Sequence, residues 1–278
     1  MSPAMRIPMA DRLSELLRRD AHDALREGWA CQIAGREIYC LVETSSTNHV
    51  ALNLARQGAL EGTLVVADAQ SAGRGRLGRM WLAPPGTSLL FSIVFRPPPG
   101  PHPFQTVMAV ALGVVRGLAA GTGLAAGLKW PNDLLLDERK AGGLLAEGEA
   151  QEEQSAFVVV GVGVNVNFYP RSVAGIPAEA TSILEVLARE VDRCALLRHI
   201  LQGVDEEYAE FRRGISPHAR WAEALATLGT EVVVELAGDR IRGRAERADE
   251  DGALWILEPG GRHRRVLAGD VTHLRTVG

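Results

Sequence analysis

The run Gly73-Arg74-Gly75-Arg76-Leu77-Gly78-Arg79-Met80-Trp81 limits the choice of fold more than any other stretch of this chain. Read literally, residues 73–78 satisfy the GxGxxG spacing of a dinucleotide-binding turn and would place the chain among doubly wound Rossmann folds. That turn works only when a helix opens directly behind it and offers its N-terminus to pyrophosphate. Here the continuation is Trp81-Leu82-Ala83-Pro84-Pro85-Gly86, which cannot start that helix. The glycines instead allow a backbone to approach a ligand closely, and the interleaved arginines converge positive charge on it. Taken alone, the segment also fits a surface loop with solvated arginines. The formal net charge is −4, so the chain as a whole has no attraction for nucleic acid or an anionic membrane, and any anion site must be local.

A chain of 278 residues can bury one large core and a small accessory domain. Spacing of Leu13, Leu16, Leu17, Ala24 and Leu25 predicts an amphipathic helix from Asp11 to about Arg26. A strand is expected at Ile38–Val42, then a helix through Val50, Ala51, Leu54 and Ala55, capped from Thr44-Ser45-Ser46-Thr47 and stopped at Gly58. Strands are expected at Thr63–Ala69 and Ser88–Arg96, followed by an apolar helix from Phe104 to about Ala119. Short strands follow near Leu128–Trp130, Leu134–Leu136, Ala141–Glu147 and Phe157–Val166, then helices over Asp192–Arg213 and from Pro217. From Thr230 the character changes to five short strands at Val232–Leu236, Ile241–Ala248, Ala253–Leu257, Arg265–Leu267 and Val271–Leu274. Gly/Asp/Pro turns separate them, the pattern of a small barrel. The three cysteines, Cys31, Cys40 and Cys194, lack metal-ligand spacing and read as reduced, mostly buried thiols of a cytoplasmic protein. No secretory segment is evident, and no stretch approaches the ~18 apolar residues that span a bilayer.

Three further segments carry chemistry. Leu128-Lys129-Trp130-Pro131-Asn132-Asp133 could be an ordinary turn, but Lys140 comes soon after it in Arg139-Lys140-Ala141-Gly142-Gly143. A hairpin would return that lysine to the sheet face, where it can neutralise a carboxylate or an α-phosphate. Gly161-Val162-Gly163-Val164-Asn165-Val166-Asn167 interrupts an apolar strand with glycine. Alternation puts Gly161, Gly163, Asn165 and Asn167 on one face, suited either to a pocket floor or to a tightly packed sheet interior. Ser45-Ser46-Thr47-Asn48 reads most simply as a helix cap, which does not exclude binding at the same end. There is no P-loop, no HExxH, and no histidine pair at ligand spacing. Arg262-His263-Arg264-Arg265 reads as a solvated strand face.

In this order and spacing the segments resemble the biotin–protein ligase family, from about residue 40 to the C-terminus. Gln70-Ser71-Ala72, Ala180-Thr181-Ser182-Ile183 and Gly269-Asp270-Val271 also fit. The resemblance implies an α/β (α+β) mixed-sheet catalytic domain at 37–228, a small SH3-like barrel at 229–278, and a helical extension at 1–36. It implies that ATP with Mg²⁺ activates biotin to biotinyl-5′-AMP, and that the acyl group passes to a lysine of a biotin carboxyl carrier protein. Ser46, Thr47, Asn48, Gln70 and Gly143 would line the biotin pocket. Arg74, Gly75 and Arg76 would close over biotin and the activated phosphate, with Lys140 on the carboxylate and α-phosphate. Arg79, Trp81, Lys129, Asn132, Asp133 and Asn165 would face the adenylate, and Arg275 would reach ATP from the barrel. Catalysis would fall to Lys140, Arg76 and Asp133, the last a candidate base for the carrier lysine.

Some relatives carry a winged helix-turn-helix and repress transcription. The ~40 residues before the core are too few for one, so no operator binding is expected. Leu77 departs from the arginine common at that position. A homodimer through a sheet edge is left open. The rivals are a lipoate–protein ligase, whose usual Arg-Arg-x-x-Gly-Gly-Gly pattern is absent, and a non-enzymatic biotin or nucleotide sensor.

Overall fold

The computed structural model describes residues 13, 15, 31–149, 157–236, 239–267 and 270–273. Its first sheet has the order β1-β2-β3-β7-β6-β5-β4. These strands are β1 (Ile38–Thr44), β2 (Leu64–Gln70), β3 (Ser88–Phe95), β4 (Gly127–Lys129), β5 (Asp133–Leu136), β6 (Arg139–Glu149) and β7 (Phe157–Asn165). Among these strands only β1 and β2 pair in parallel, and that crossover is helix α1 (Thr47–Arg56), which covers one face through Ala51, Leu52 and Ala55 against Val65, Val94 and Val159. The other face carries α2 (Phe104–Thr122) and α4 (Arg193–Arg212), with α3 (Ile183–Leu187) and α5 (His218–Ala224) beside them. Because both faces are covered, every residue of β3 is buried, including Ser88 and Ser92. Each fully buried valine or leucine of this sandwich contributes roughly 1.5–3 kcal/mol.

α2 and α4 approach closely because glycines meet at the crossing. A Cβ on Gly117 would fall 2.3 Å from the Ile200 Cα, and one on Gly203 would fall 2.4 Å from the Gly113 carbonyl oxygen. By length and composition α2 could cross a membrane, contrary to the reading that no stretch comes near that length. Yet 61% of its apolar window is buried inside the protein, as expected of a core helix. At the N-terminus of α4, fully buried Arg193 reaches Asp68 on β2 (2.7 Å) and the Ser88 carbonyl on β3 (2.7 Å), locking helix to sheet below the site.

The second sheet is antiparallel, in the order β11-β10-β9-β8-β12, and forms the SH3-like unit expected from the turn pattern. It comprises β8 (Glu231–Leu236), β9 (Asp239–Ala248), β10 (Leu254–Leu257), β11 (His263–Val266) and β12 (Asp270–His273). Buried Trp130 ties the two sheets together, donating from its indole to the Gly252 carbonyl (2.7 Å) and from its backbone to Thr227 Oγ1 (3.0 Å). The Arg262–Arg265 cluster is a paired strand face. Arg262, His263 and Arg264 meet Glu258, Glu246 and Asp239, and Arg265 meets Asp249 and Asp251.

Most expected elements are present within one to three residues. Missed were α3, too short to show periodicity, and the extension of β6 back to Arg139. The expected N-terminal helix lies outside the described residues except for Leu13 and Glu15, both helical. Of the thiols only Cys194 is buried, while Cys31 and Cys40 are half-buried, and none of the three is in a disulfide.

Candidate active site

A cleft of about 810 Å³ opens where α1, the ends of β2, β6 and β7, the Gly73–Trp81 loop and the second sheet converge. Its size suits a small-molecule site. It brings together every site residue expected from the sequence except Arg275, which lies outside the described residues.

At one end stands the start of α1. Ser46 has the extended backbone of an N-cap, but its hydroxyl makes no capping bond, so the simple cap reading is corrected. The Thr47 N–H that a cap would leave to water donates instead to Gln70 Oε1 (2.8 Å), which also receives the Thr47 hydroxyl at 3.1 Å. Ser46 is therefore left on the cleft wall. The Asn48 Nδ2 donates to the Leu145 carbonyl (3.1 Å) and to Glu147 Oε2 (2.8 Å), while its Oδ1 accepts from Ser92 Oγ (2.6 Å). A carbonyl and a carboxylate can only accept, so the amide orientation is fixed. The same holds for Asn132, donating to the Leu144 carbonyl (2.6 Å), and for Asn165, donating to the Thr181 carbonyl (2.9 Å). All three asparagines of the cleft thus spend donors on the protein and keep oxygens for other partners.

Glycine forms the floor. A Cβ on Gly161 would lie 2.0 Å from Asn48 Oδ1, and one on Gly163 would lie 2.7 Å from the Trp81 indole. Close packing and pocket floor are one fact here, since these glycines admit the side chains that shape the cleft. Asn167 does not join them. It lies beyond the end of β7, donating to the Val191 carbonyl (2.9 Å) and accepting the Val191 N–H (3.1 Å).

The cationic wall is built by the β5–β6 hairpin and the Gly/Arg loop. The hairpin turns at Asp137 and Glu138, both with positive φ, and a bulge between Leu134 and Leu135 shifts the register in which β6 pairs with β5. Lys140 pairs with Leu135 on one side and Ala180 on the other, and its Nζ lies 2.6 Å from Asp133 Oδ1. Asp133 thus holds Lys140 through one of its two carboxylate oxygens. The loop is itself a small hairpin, closed by Gly75 N–H to the Arg79 carbonyl (2.8 Å) and Trp81 N–H to the Gly73 carbonyl (2.9 Å). A Cβ on Gly73 would strike the Trp81 carbonyl oxygen at 2.7 Å, so this glycine is needed for the closure. Arg74 pairs with Glu147 (3.0 Å), and Arg76 makes a long contact to Asn132 Oδ1 (3.4 Å). Leu77 sits exposed at the tip with φ 55°, while Arg79 and Lys129 complete the basic lining.

Sequence reasoning missed several participants. Ser92 carried no signal and Glu147, though it ends the Arg139–Glu147 segment that fits the family, was given no role, because their partners lie 44 and 99 residues away. Thr230, just ahead of β8, and Glu235 and Val271 of the second sheet line the cleft, of which only Val271 carried a signal, in Gly269-Asp270-Val271.

Residues 40–165 match the biotin/lipoate A/B protein ligase family, and residues 227–274 match the biotin protein ligase C-terminal domain. The biotin–[acetyl-CoA-carboxylase] ligase of Mycobacterium tuberculosis is 34% identical, over 95% of this chain and 96% of that protein. The chain belongs to the biotin protein ligase family. The bifunctional ligase/repressor BirA of Bacillus subtilis is 32% identical, over 89% of this chain and 77% of that protein. A solved biotin protein ligase from Aquifex aeolicus, in complex with biotin and ATP, superposes with a TM-score of 0.69 at 30% identity. The match covers 87% of this chain and all of that one. The two family matches each contribute to the cleft, the second through Thr230, Glu235 and Val271.

Proposed function

We propose that this chain is a biotin–protein ligase, divided into a catalytic unit at 37–228 and an SH3-like unit at 229–278. In its first step a biotin carboxylate oxygen attacks the α-phosphorus of ATP, the bond to the β-phosphate oxygen breaks, and pyrophosphate leaves. In the second, a carrier lysine amine attacks the acyl carbon of biotinyl-5′-AMP, the acyl–oxygen bond breaks, and AMP leaves with its electron pair as the amine sheds a proton. The carrier is of the acetyl-CoA carboxylase type, as the name of the mycobacterial relative suggests.

One observation carries this reading: an acceptor-lined end abuts a cationic wall in a single cleft. Thr47, Asn48 and Gln70 would receive the ureido ring, whose two N–H groups require acceptors. Lys140, held by Asp133, and Arg76 would bring a carboxylate anion and a polyphosphate anion together. Trp81, Asn132 and Asn165 would hold the adenylate. Lipoate offers a dithiolane with no N–H, so the remaining lone pairs of the same oxygens would go unused and the discrimination they give biotin would be lost. Magnesium belongs here as the ion carried on ATP. Among the described residues no three Asp, Glu, His or Cys side chains converge, and Asp133 holds Lys140. We place the reaction in the cytoplasm, consistent with three cysteines outside any disulfide. The outer edge of β1, where Tyr39 and Val42 are exposed, is the edge a homodimer would use.

The test incubates the full chain with ATP, Mg²⁺, a carrier domain and labelled biotin or lipoate. Biotin alone should transfer. Arg76→Ala and Lys140→Ala should keep the wild-type melting temperature while biotin-dependent pyrophosphate exchange falls about 10²-fold or more. Near-normal exchange in both variants overturns the assignment, and no transfer of either label by the wild type favours a sensor.

A further inference from the structure

We propose that Glu147 is a positioning residue for the biotin end of the cleft, fixing the direction of a hydrogen-bond relay and tethering the Gly/Arg loop to it. This rests on the ligase reading above.

The relay starts from a group that can only accept. Glu147 Oε2 takes the Asn48 Nδ2 at 2.8 Å and the Arg74 Nη2 at 3.0 Å. With its other Nδ2 hydrogen on the Leu145 carbonyl, Asn48 has no donor left, and Oδ1 is all it presents. Ser92, fully buried, has one hydroxyl hydrogen and lies 2.6 Å from Asn48 Oδ1 and 2.8 Å from Thr47 Oγ1. Asn48 Oδ1 cannot donate, so that hydrogen goes to it. The Thr47 hydroxyl must then place its own hydrogen on Ser92 Oγ or on Gln70 Oε1, and it shows a ligand only lone pairs. Each hydrogen points away from the cleft, and Glu147 sets the sense of the chain. Without the carboxylate the Asn48 amide keeps only its longer contact to the Leu145 carbonyl (3.1 Å), which weakens the preference against the turned-over amide that would offer Nδ2 where a ureido N–H would sit. The same carboxylate oxygen holds Arg74, so loop position and amide orientation share one anchor.

The experiment compares Glu147→Gln, which keeps an acceptor oxygen, with Glu147→Met, which keeps only bulk, in biotin-dependent pyrophosphate exchange by the full chain. Glu147→Met should raise KM for biotin about tenfold or more and leave KM for ATP within about twofold. Glu147→Gln should recover most of that loss. Since Glu147→Met could fail to fold, Ser92→Ala is measured alongside. It breaks the relay at its other end and should show the same split. Equal behaviour of the Gln and Met variants overturns the proposal, as does a loss of kcat, both KM values and melting temperature together in Ser92→Ala. A wild type that forms no biotinyl adenylate would sink the ligase reading and this proposal with it. An active wild type with unshifted variants sinks only the proposal.

Discussion

Two glycine-to-alanine substitutions on the cleft floor, two residues apart on β7, should injure different substrates. Neither Gly161 nor Gly163 has a positive φ, so alanine is conformationally permitted and only the added methyl matters. At Gly163 the methyl would fall 2.7 Å from two indole carbons of Trp81, whereas ordinary contact begins near 3.4 Å. The ring must retreat by about 0.7 Å or tilt, a displacement of the size that costs on the order of 10²-fold when a positioning group moves. On the proposed assignment of Trp81 to the adenylate, KM for ATP should rise at least about tenfold while the affinity for biotin alone stays within about threefold. At Gly161 the methyl would meet Asn48 Oδ1 at 2.0 Å, and that amide is pinned by three hydrogen bonds. Displacing it forfeits bonds worth roughly 1 kcal/mol each, so biotin affinity should fall about 10- to 100-fold. Isothermal titration with biotin alone, combined with pyrophosphate exchange at varied ATP, separates the two. If both variants impair the same substrate, or Gly163→Ala leaves KM for ATP unmoved, the division of the cleft into two ends is wrong.

Other consequences are structural. Gly117→Leu should destabilise the chain by about 3 kcal/mol or more in urea melts, because its Cβ would overlap the α4 backbone at Ile200. Glu138→Gly should stabilise by about 1 kcal/mol, relieving a non-glycine residue at φ 60° in the β5–β6 turn, readable as a higher melting temperature with Lys140 activity retained. Cys31 is pushed from 9.0 up to about 12, first by burial and then by the nearby Asp205 and Glu206 charges. Its folded pKa is raised, so the stability it contributes is fully present below pH 9.0 and is lost as pH rises toward about 12. Cys31→Ala should flatten the alkaline limb of a stability-against-pH curve, and alkylation of Cys31 in the folded chain should stay slow at pH 8.

The range of each interaction decides whether it can be read from sequence. β7 and the Lys140 hairpin were legible because alternation and turn chemistry are local. So was the unsuitability of Gly73–Gly78 for a Rossmann turn, since the disqualifying prolines come within a few residues. Ser46 illustrates the limit. Its residue type and position are those of a cap, yet its hydroxyl makes no capping bond and lines the cleft, and the N–H of Thr47, which a cap does not reach, goes to Gln70 on a strand 23 residues on. Nothing local announces that arrangement. The glycines of α2 carry no signal of their own within an apolar helix, and only the approach of α4 shows that they are contact points. Asn167 continued the alternation on paper, but β7 ends at Asn165 and the chain turns away.

The same distinction explains why the cleft motifs are spread over so much chain. Joining two anions requires cations at one end of a site and, for discrimination, acceptors with spare lone pairs at the other, without the two neutralising each other. Lys140 and Asp133 sit on adjacent strands, so the lysine can be held by a neighbour on the same hairpin. Arg74 comes from a loop and would wander if left to itself. Its partner Glu147 lies on the strand that also fixes Asn48, which places loop cation and acceptor surface on a common support. Moving that carboxylate elsewhere on β6 would leave Lys140 and the Gly/Arg loop intact and still separate the two ends. A Glu147→Met, Leu145→Glu double variant would alter only the end of the Arg139–Glu147 segment and keep every cation and asparagine of the cleft. It should nonetheless lose biotin affinity by at least about tenfold, in titrations with biotin alone. Wild-type affinity in that variant would mean that the loop and the acceptor end are positioned independently.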